Sequence, residues 1–155
     1  MRMLRGVQVG ALVLALGCSG EAVPPPANLS GQWGFTFNGT NDAGAACSSS
    51  MVITISQTDQ TFVGFQRGAG TVSCSGIAAA LASTNASNPT EIDNEMISSG
   101  VVSHTEVAFA TATLTTTNSG TVVSDGHLSG TTIWQVPVKP RGTITVTGTW
   151  TATRQ

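Results

Sequence analysis

Tyrosine is absent from this 155-residue chain, and charge is scarce: six Lys and Arg with eight Asp and Glu make up 9% of it, against about a quarter of an average globular domain. So few cations exclude the clustered basic face that nucleic acid requires, and they exclude electrostatic adhesion to an anionic membrane. Cysteine is limited to three residues, and none forms a Cys-x-x-Cys pair. That leaves out the common redox and zinc spacings. The chain carries no Gly-x-Ser-x-Gly elbow, no glycine-rich phosphate loop and no EF-hand pattern, so nucleophilic hydrolysis, nucleotide chemistry and the commonest calcium site lack their signatures. Its longest apolar run, Val7 to Leu16, is too short to span a bilayer as a helix.

The few residues able to do chemistry are scattered. His104 and His127 are far apart and neither has a metal-ligand partner at a diagnostic spacing; both read as surface histidines. His104 and Glu106 share a strand face and are the one acid/base or half-metal pairing to weigh. Glu91, Asp93 and Glu95 form the only acidic cluster, and an exposed loop is its plainest explanation. No catalytic residues, metal or cofactor are expected, and the chain does not read as an enzyme.

What the chain has in quantity is β-branched residues and glycine. Gly142 to Arg154 alternates with a period of two: Thr143, Thr145, Thr147, Thr149, Thr151 and Thr153 fall on one side, and Ile144, Val146, Gly148, Trp150 and Ala152 on the other. It is the clearest strand. Its Gly-Thr-Trp echoes Gly31-Gln32-Trp33, and the two terminal strands are expected to pair and close the sheet on itself.

Between them lie Leu29 to Asn38, with Trp33, Phe35 and Phe37 on one face and a turn starting at Asn38-Gly39. Met51 to Gln57 and Thr61 to Gln66 follow as a hairpin around Thr58-Asp59-Gln60, and then comes Gly70 to Gly76. Ile77 to Asn88 reads as a loop. Glu91 to His104, Glu106 to Thr115, Gly120 to Ser124 and His127 to Val136 complete the set, the last two flanking Asp125-Gly126. The expected fold is all-β, a small antiparallel up-and-down barrel of eight or so strands; an immunoglobulin-like sandwich is the competing arrangement.

Arg2 and Arg5 precede the Val7 to Leu16 run, the order of a signal peptide. The run ends Leu14-Ala15-Leu16-Gly17-Cys18, which resembles a bacterial lipobox, with Ala15 where leucine usually stands and Leu16 one place later. The resemblance implies that residues 1–17 are removed and that Cys18 becomes a lipidated first residue, held by enough acyl chains for stable anchoring. Ser19, where aspartate would signal retention, then implies outer-membrane sorting in the cell envelope. Residues 18–28, with Pro24-Pro25-Pro26, read as a tether of about 20 to 30 Å, and 29–155 as one domain. In that oxidising compartment Cys47 and Cys74 are expected to pair, closing a loop of roughly 28 residues worth roughly 3 to 4 kcal/mol.

Gly31-Gln32-Trp33 on the first strand and Arg154 at the end of the last resemble the calycin arrangement of lipocalins, avidins and their bacterial relatives. There a first-strand tryptophan packs under a basic side chain from the final strand and plugs one end of the barrel. The resemblance implies barrel-end packing by Trp33, Trp150 and Arg154, and an internal cavity lined by Phe35, Phe37, Phe109 and Trp134. This chain is shorter than a typical lipocalin, lacks the family's central motif, and without tyrosine cannot supply the avidin pocket's phenol, so no ligand identity follows. The functional expectation is a lipid-anchored envelope binding module for a small apolar ligand. The alternative is a structural or inhibitor-like interaction protein with a filled core; Trp33, Trp134 and Trp150 serve either.

Overall fold

A computed structural model of the chain describes residues 22–74, 91–92, 94–112, 114–138 and 142–155. Among the described residues it contains ten strands and no helix: β1 (Gly31–Asn41), β2 (Ala46–Thr58), β3 (Thr61–Gln66), β4 (Gly70–Cys74), β5 (Glu91–Ile92), β6 (Met96–Val102), β7 (Glu106–Thr111), β8 (Thr116–Ser124), β9 (His127–Val138) and β10 (Gly142–Arg154). Neighbours pair antiparallel in the order β1-β10-β9-β8-β7-β6-β3-β2, and β2 returns to β1. Eight strands therefore close a barrel. Because β1 has a partner on each side, from Trp33↔Arg154 to Asn41↔Val146 with β10 and from Gly31↔Ile55 to Thr40↔Ala46 with β2, it has no free edge and the sandwich is ruled out.

The meander is interrupted once. After β3 the chain turns back to lay β4 on the first part of β2, where Cys47 to Ser50 face Thr71 to Cys74. The two-residue β5 adds to β4. These two extend the sheet beyond the end of β3 and take no part in the closure.

Side-chain alternation decides inside from outside. On β10, Val146, Trp150 and Ala152 are buried while Thr147, Thr149, Thr151 and Thr153 are exposed. On β1, Trp33, Phe35 and Phe37 are buried while Gln32, Thr36 and Asn38 are exposed. Threonine rows face outward and apolar rows inward, the reverse of a membrane-spanning barrel, whose outer face is apolar. Burial of the inward rows is the main force holding the cylinder.

Three sequence expectations need adjustment. Asn38-Gly39 does not turn, and β1 runs on to Asn41, whose Oδ1 accepts the amides of Ala43 at 3.0 Å and Ala45 at 2.9 Å and so makes the bend itself. Gly39 stays in the strand because it lies opposite Gly148, and the two backbones touch where side chains would collide. Glu91 to His104 is two strands rather than one, with Glu95 between them, and β8 begins at Thr116, four residues earlier than its glycine signal indicates. The Ile77 to Asn88 loop falls outside the described residues.

A Cβ placed on Gly148 would strike the Asn38 carbonyl and come 2.7 Å from the Phe37 ring. Gly148→Ala is accordingly expected to destabilise by about 1 to 3 kcal/mol through overpacking, read as a lower urea midpoint with an unchanged slope. A neutral outcome would mean that β1 and β10 are not this close.

Candidate functional site: the interior cavity

The two ends of the barrel differ. At one, the segment before β1 crosses the opening: Leu29 is buried and donates its amide to Gln57 Oε1 at 2.6 Å, and Gln57 Nε2 returns a bond to the Ala27 carbonyl at 3.0 Å. Trp33 is fully buried beneath, its indole N–H on the Leu29 carbonyl at 2.7 Å. The Arg154 guanidinium lies 4.7 Å from the Trp33 ring and donates to the carbonyls of Ser30 and Asn28, each at 2.6 Å. One planar cation thus ties the last strand, the first indole and the incoming chain together. This end is shut.

The incoming chain belongs to the barrel earlier than residue 29. Ala27 donates to the Ser103 carbonyl at 3.1 Å and the Pro25 carbonyl lies 3.3 Å from His104 Nδ1, so part of the 18–28 span expected to be a tether is bonded to the barrel. Residues 1–21, including Cys18, are outside the described residues. Trp150 is not part of this plug. It stands opposite Phe37, four residues in from Arg154, with its N–H on the Thr131 carbonyl at 3.0 Å.

Toward the other end the interior is incompletely filled. A cavity of about 50 Å³ is lined by Phe35, Phe37, Phe109, Trp134 and Trp150, with Met51 and Leu114 beside them. Three of the rings make its floor: Phe109 meets Trp150 edge-on at 5.3 Å and Phe35 at 5.8 Å, and Phe35 lies 5.9 Å from Trp150. The four aromatic residues singled out from the sequence as lining are all on this wall. Trp150, placed by the resemblance at the barrel end, is on it too.

A polar arc completes the wall. Thr132 donates to Asn118 Oδ1, Asn118 Nδ2 donates to Thr116 Oγ1 at 2.7 Å, and Thr116 Oγ1 is 2.9 Å from Thr111 Oγ1. Glu95, fully buried, accepts the Met96 amide at 3.0 Å on Oε1 and the Leu114 amide at 2.8 Å on Oε2. Its carboxylate fastens Leu114 to the start of β6. Among the described residues no buried side-chain nitrogen or oxygen lacks a hydrogen-bond partner.

The acidic cluster of the sequence therefore breaks up. Glu95 is an interior residue and not an exposed one, the backbone of Glu91 is in β5, and Asp93 lies outside the described residues. Sequence reasoning missed Glu95 because charge is rarely buried without partners, and its partners here are backbone amides that no motif announces. Among the described residues no three His, Cys, Asp or Glu side chains gather as a metal site. His104 is exposed in the turn before β7 and Glu106 is exposed at its start, away from the cavity; His127 is half-buried at the start of β9. Cys47 and Cys74 are joined by a disulfide across the directly paired positions of β2 and β4. It pins β4 beside the cavity end, where both cysteines pack in one cluster with Phe37, Trp134 and Leu114.

Fold and cavity together define a closed eight-stranded antiparallel barrel, plugged at one end and hollow toward the other. No family model, no curated protein and no solved structure matches the chain.

Proposed function

We propose that the protein is a binding module that holds a small, largely apolar ligand inside the barrel and is anchored to the cell envelope by lipid on Cys18. The observation that carries the reading is the asymmetry of the interior, sealed by Trp33, Leu29 and Arg154 at one end and left with an aromatic-walled cavity toward the other. Ligand pockets are mainly apolar with a few placed polar groups, and this wall has that composition. Its small volume favours a compact ligand over a long acyl chain. Two of the three tryptophans face the cavity, so small alcohols such as tert-butanol and benzyl alcohol should change tryptophan fluorescence saturably. A series with no response by fluorescence or native mass spectrometry would overturn the reading.

The anchor rests on the lipobox resemblance and has its own test. Cys18→Ser should move the protein from the membrane fraction to the soluble envelope fraction. Retention in the membrane fraction would overturn the anchor and leave the cavity untouched.

One feature favours the interaction reading. On the outer face of the adjoining β3 and β6, Val63, Phe65, Met96 and Val101 are 38% to 56% exposed, and Phe65 pairs directly with Met96. Exposed apolar stripes of this kind mark protein contacts when they are contiguous. Phe65→Ser with Val101→Ser would abolish capture of an envelope protein while sparing ligand fluorescence; capture unaffected by the pair would count against the stripe.

A further inference from the structure

We infer that the cavity's ligand is a small organic cation, a methylated ammonium group, an inference that rests on the interior-site reading. The polar wall already satisfies itself: Asn118, Thr132, Thr116 and Thr111 bond to one another, and Glu95 accepts two backbone amides. A ligand rich in acceptors would have to take donors already committed to those bonds, and leaving any of their partners unpaired costs about 1 to 3 kcal/mol each.

The cavity offers ring surface and negative charge instead. Phe35, Phe37, Phe109, Trp134 and Trp150 line it, and the Glu95 carboxylate stands in the same wall with no exposure to solvent. Aromatic rings attract a cation through their quadrupole, most strongly when water is excluded, and such cages recognise quaternary ammonium. A buried carboxylate adds a through-space attraction that needs no hydrogen bond to the ligand. Size agrees: about 50 Å³ is room for roughly three or four waters, which suits a trimethyl- or tetramethylammonium head group and leaves no space for a lipid tail. With residues 1–17 removed, four cationic side chains face eight acidic ones in the remaining sequence, so the field around the domain also favours a cation.

The test is calorimetry on the full folded domain with tetramethylammonium chloride and with its neutral near-isostere tert-butanol, sodium chloride serving as the ionic-strength control. Tetramethylammonium is expected to bind about tenfold tighter, the order of one desolvated cation–π contact. Glu95→Gln, which keeps one acceptor for a backbone amide, and Trp134→Leu, which keeps apolar bulk but removes a ring face, should each bring the two affinities together. The leucine variant carries the test alone if the glutamine variant does not fold. Equal affinities in the unaltered protein would overturn the inference and leave the interior site standing. Binding of neither compound would overturn both, and a preference that survives in the folded variants would place the cation elsewhere.

Discussion

Trp150→Ala is expected to lower the unfolding free energy by about 3 to 5 kcal/mol, the transfer and cavity terms of deleting a buried aromatic side chain. The indole is 3% exposed, packs against Phe35 and Phe109, and bonds the Thr131 carbonyl through its N–H. It also sits over glycine: a Cβ on Gly120 would come 2.8 Å from its ring, and Gly130 is its cross-strand partner on β9. Those two glycines carry no side chain to refill the space, which places the loss at the upper part of that range. Since whole domains are stable by about 5 to 15 kcal/mol, the variant could be largely unfolded at moderate temperature. Thr147→Ala, exposed on the same strand, should shift stability by less than about 0.5 kcal/mol. Urea denaturation of the two, followed by circular dichroism, decides it; equal losses would mean that the β10 faces are assigned wrongly.

Removing the disulfide should be the other large effect. The bridge joins residues 27 apart in sequence, and the chain-entropy account gives roughly 3 to 4 kcal/mol for a loop of that length. Replacing both Cys47 and Cys74 with Ser should cost about that much. Unfolding in the presence of a reductant should reproduce it in the unaltered protein. The damage should concentrate at the cavity end, because both sulfurs are buried with Phe37, Val72, Leu114, Trp134, Val136 and Val146. β4 is otherwise held mainly through its ladder with β2 and the short β5. A double variant as stable as the parent, with the Trp134 environment unchanged, would show that β4 stays docked without the bridge.

Much of the architecture is legible in the chain because a closed barrel with an apolar interior enforces a strict period of two. Gly142–Arg154 shows it without a break, and the strand bounds match the sequence reading at both ends. The pairing of the termini could be read from the indoles and glycines they share. Elsewhere the pattern is blurred by causes that sequence does not display. Gly39 has the composition of a turn but serves a close backbone approach to Gly148, a long-range fact. β8 carries Thr116, Asn118 and Gly120 inward in place of apolar side chains, so its first half lacks the alternation that marks β10. Register shifts between Phe62 and Gly64, and between Ile97 and Ser99, both put the extra residue in β6, where the adjacent Ser98 and Ser99 are both exposed and the period breaks, while β3 keeps its alternation.

The site was half legible for the same reason. Aromatic residues at inward positions announce themselves, and Phe35, Phe37, Phe109 and Trp134 line the cavity. Glu95 gives no such signal, since its burial is matched by the amides of Met96 at the start of β6 and of Leu114, 19 residues away in sequence. Trp150 was placed by analogy with the end plug, whereas the register of β1 and β10 carries it further along the barrel.

Three indoles in one small domain offer a built-in control for the central claim that the ligand enters the barrel. Trp134 and Trp150 line the cavity, while Trp33 lies under Arg154 at the plugged end. In a nitrogen–proton correlation spectrum titrated with tetramethylammonium or tert-butanol, the indole signals of Trp134 and Trp150 should shift saturably and together while that of Trp33 stays in place. Three stationary indoles, or a Trp33 signal moving as far as the other two, would contradict the account.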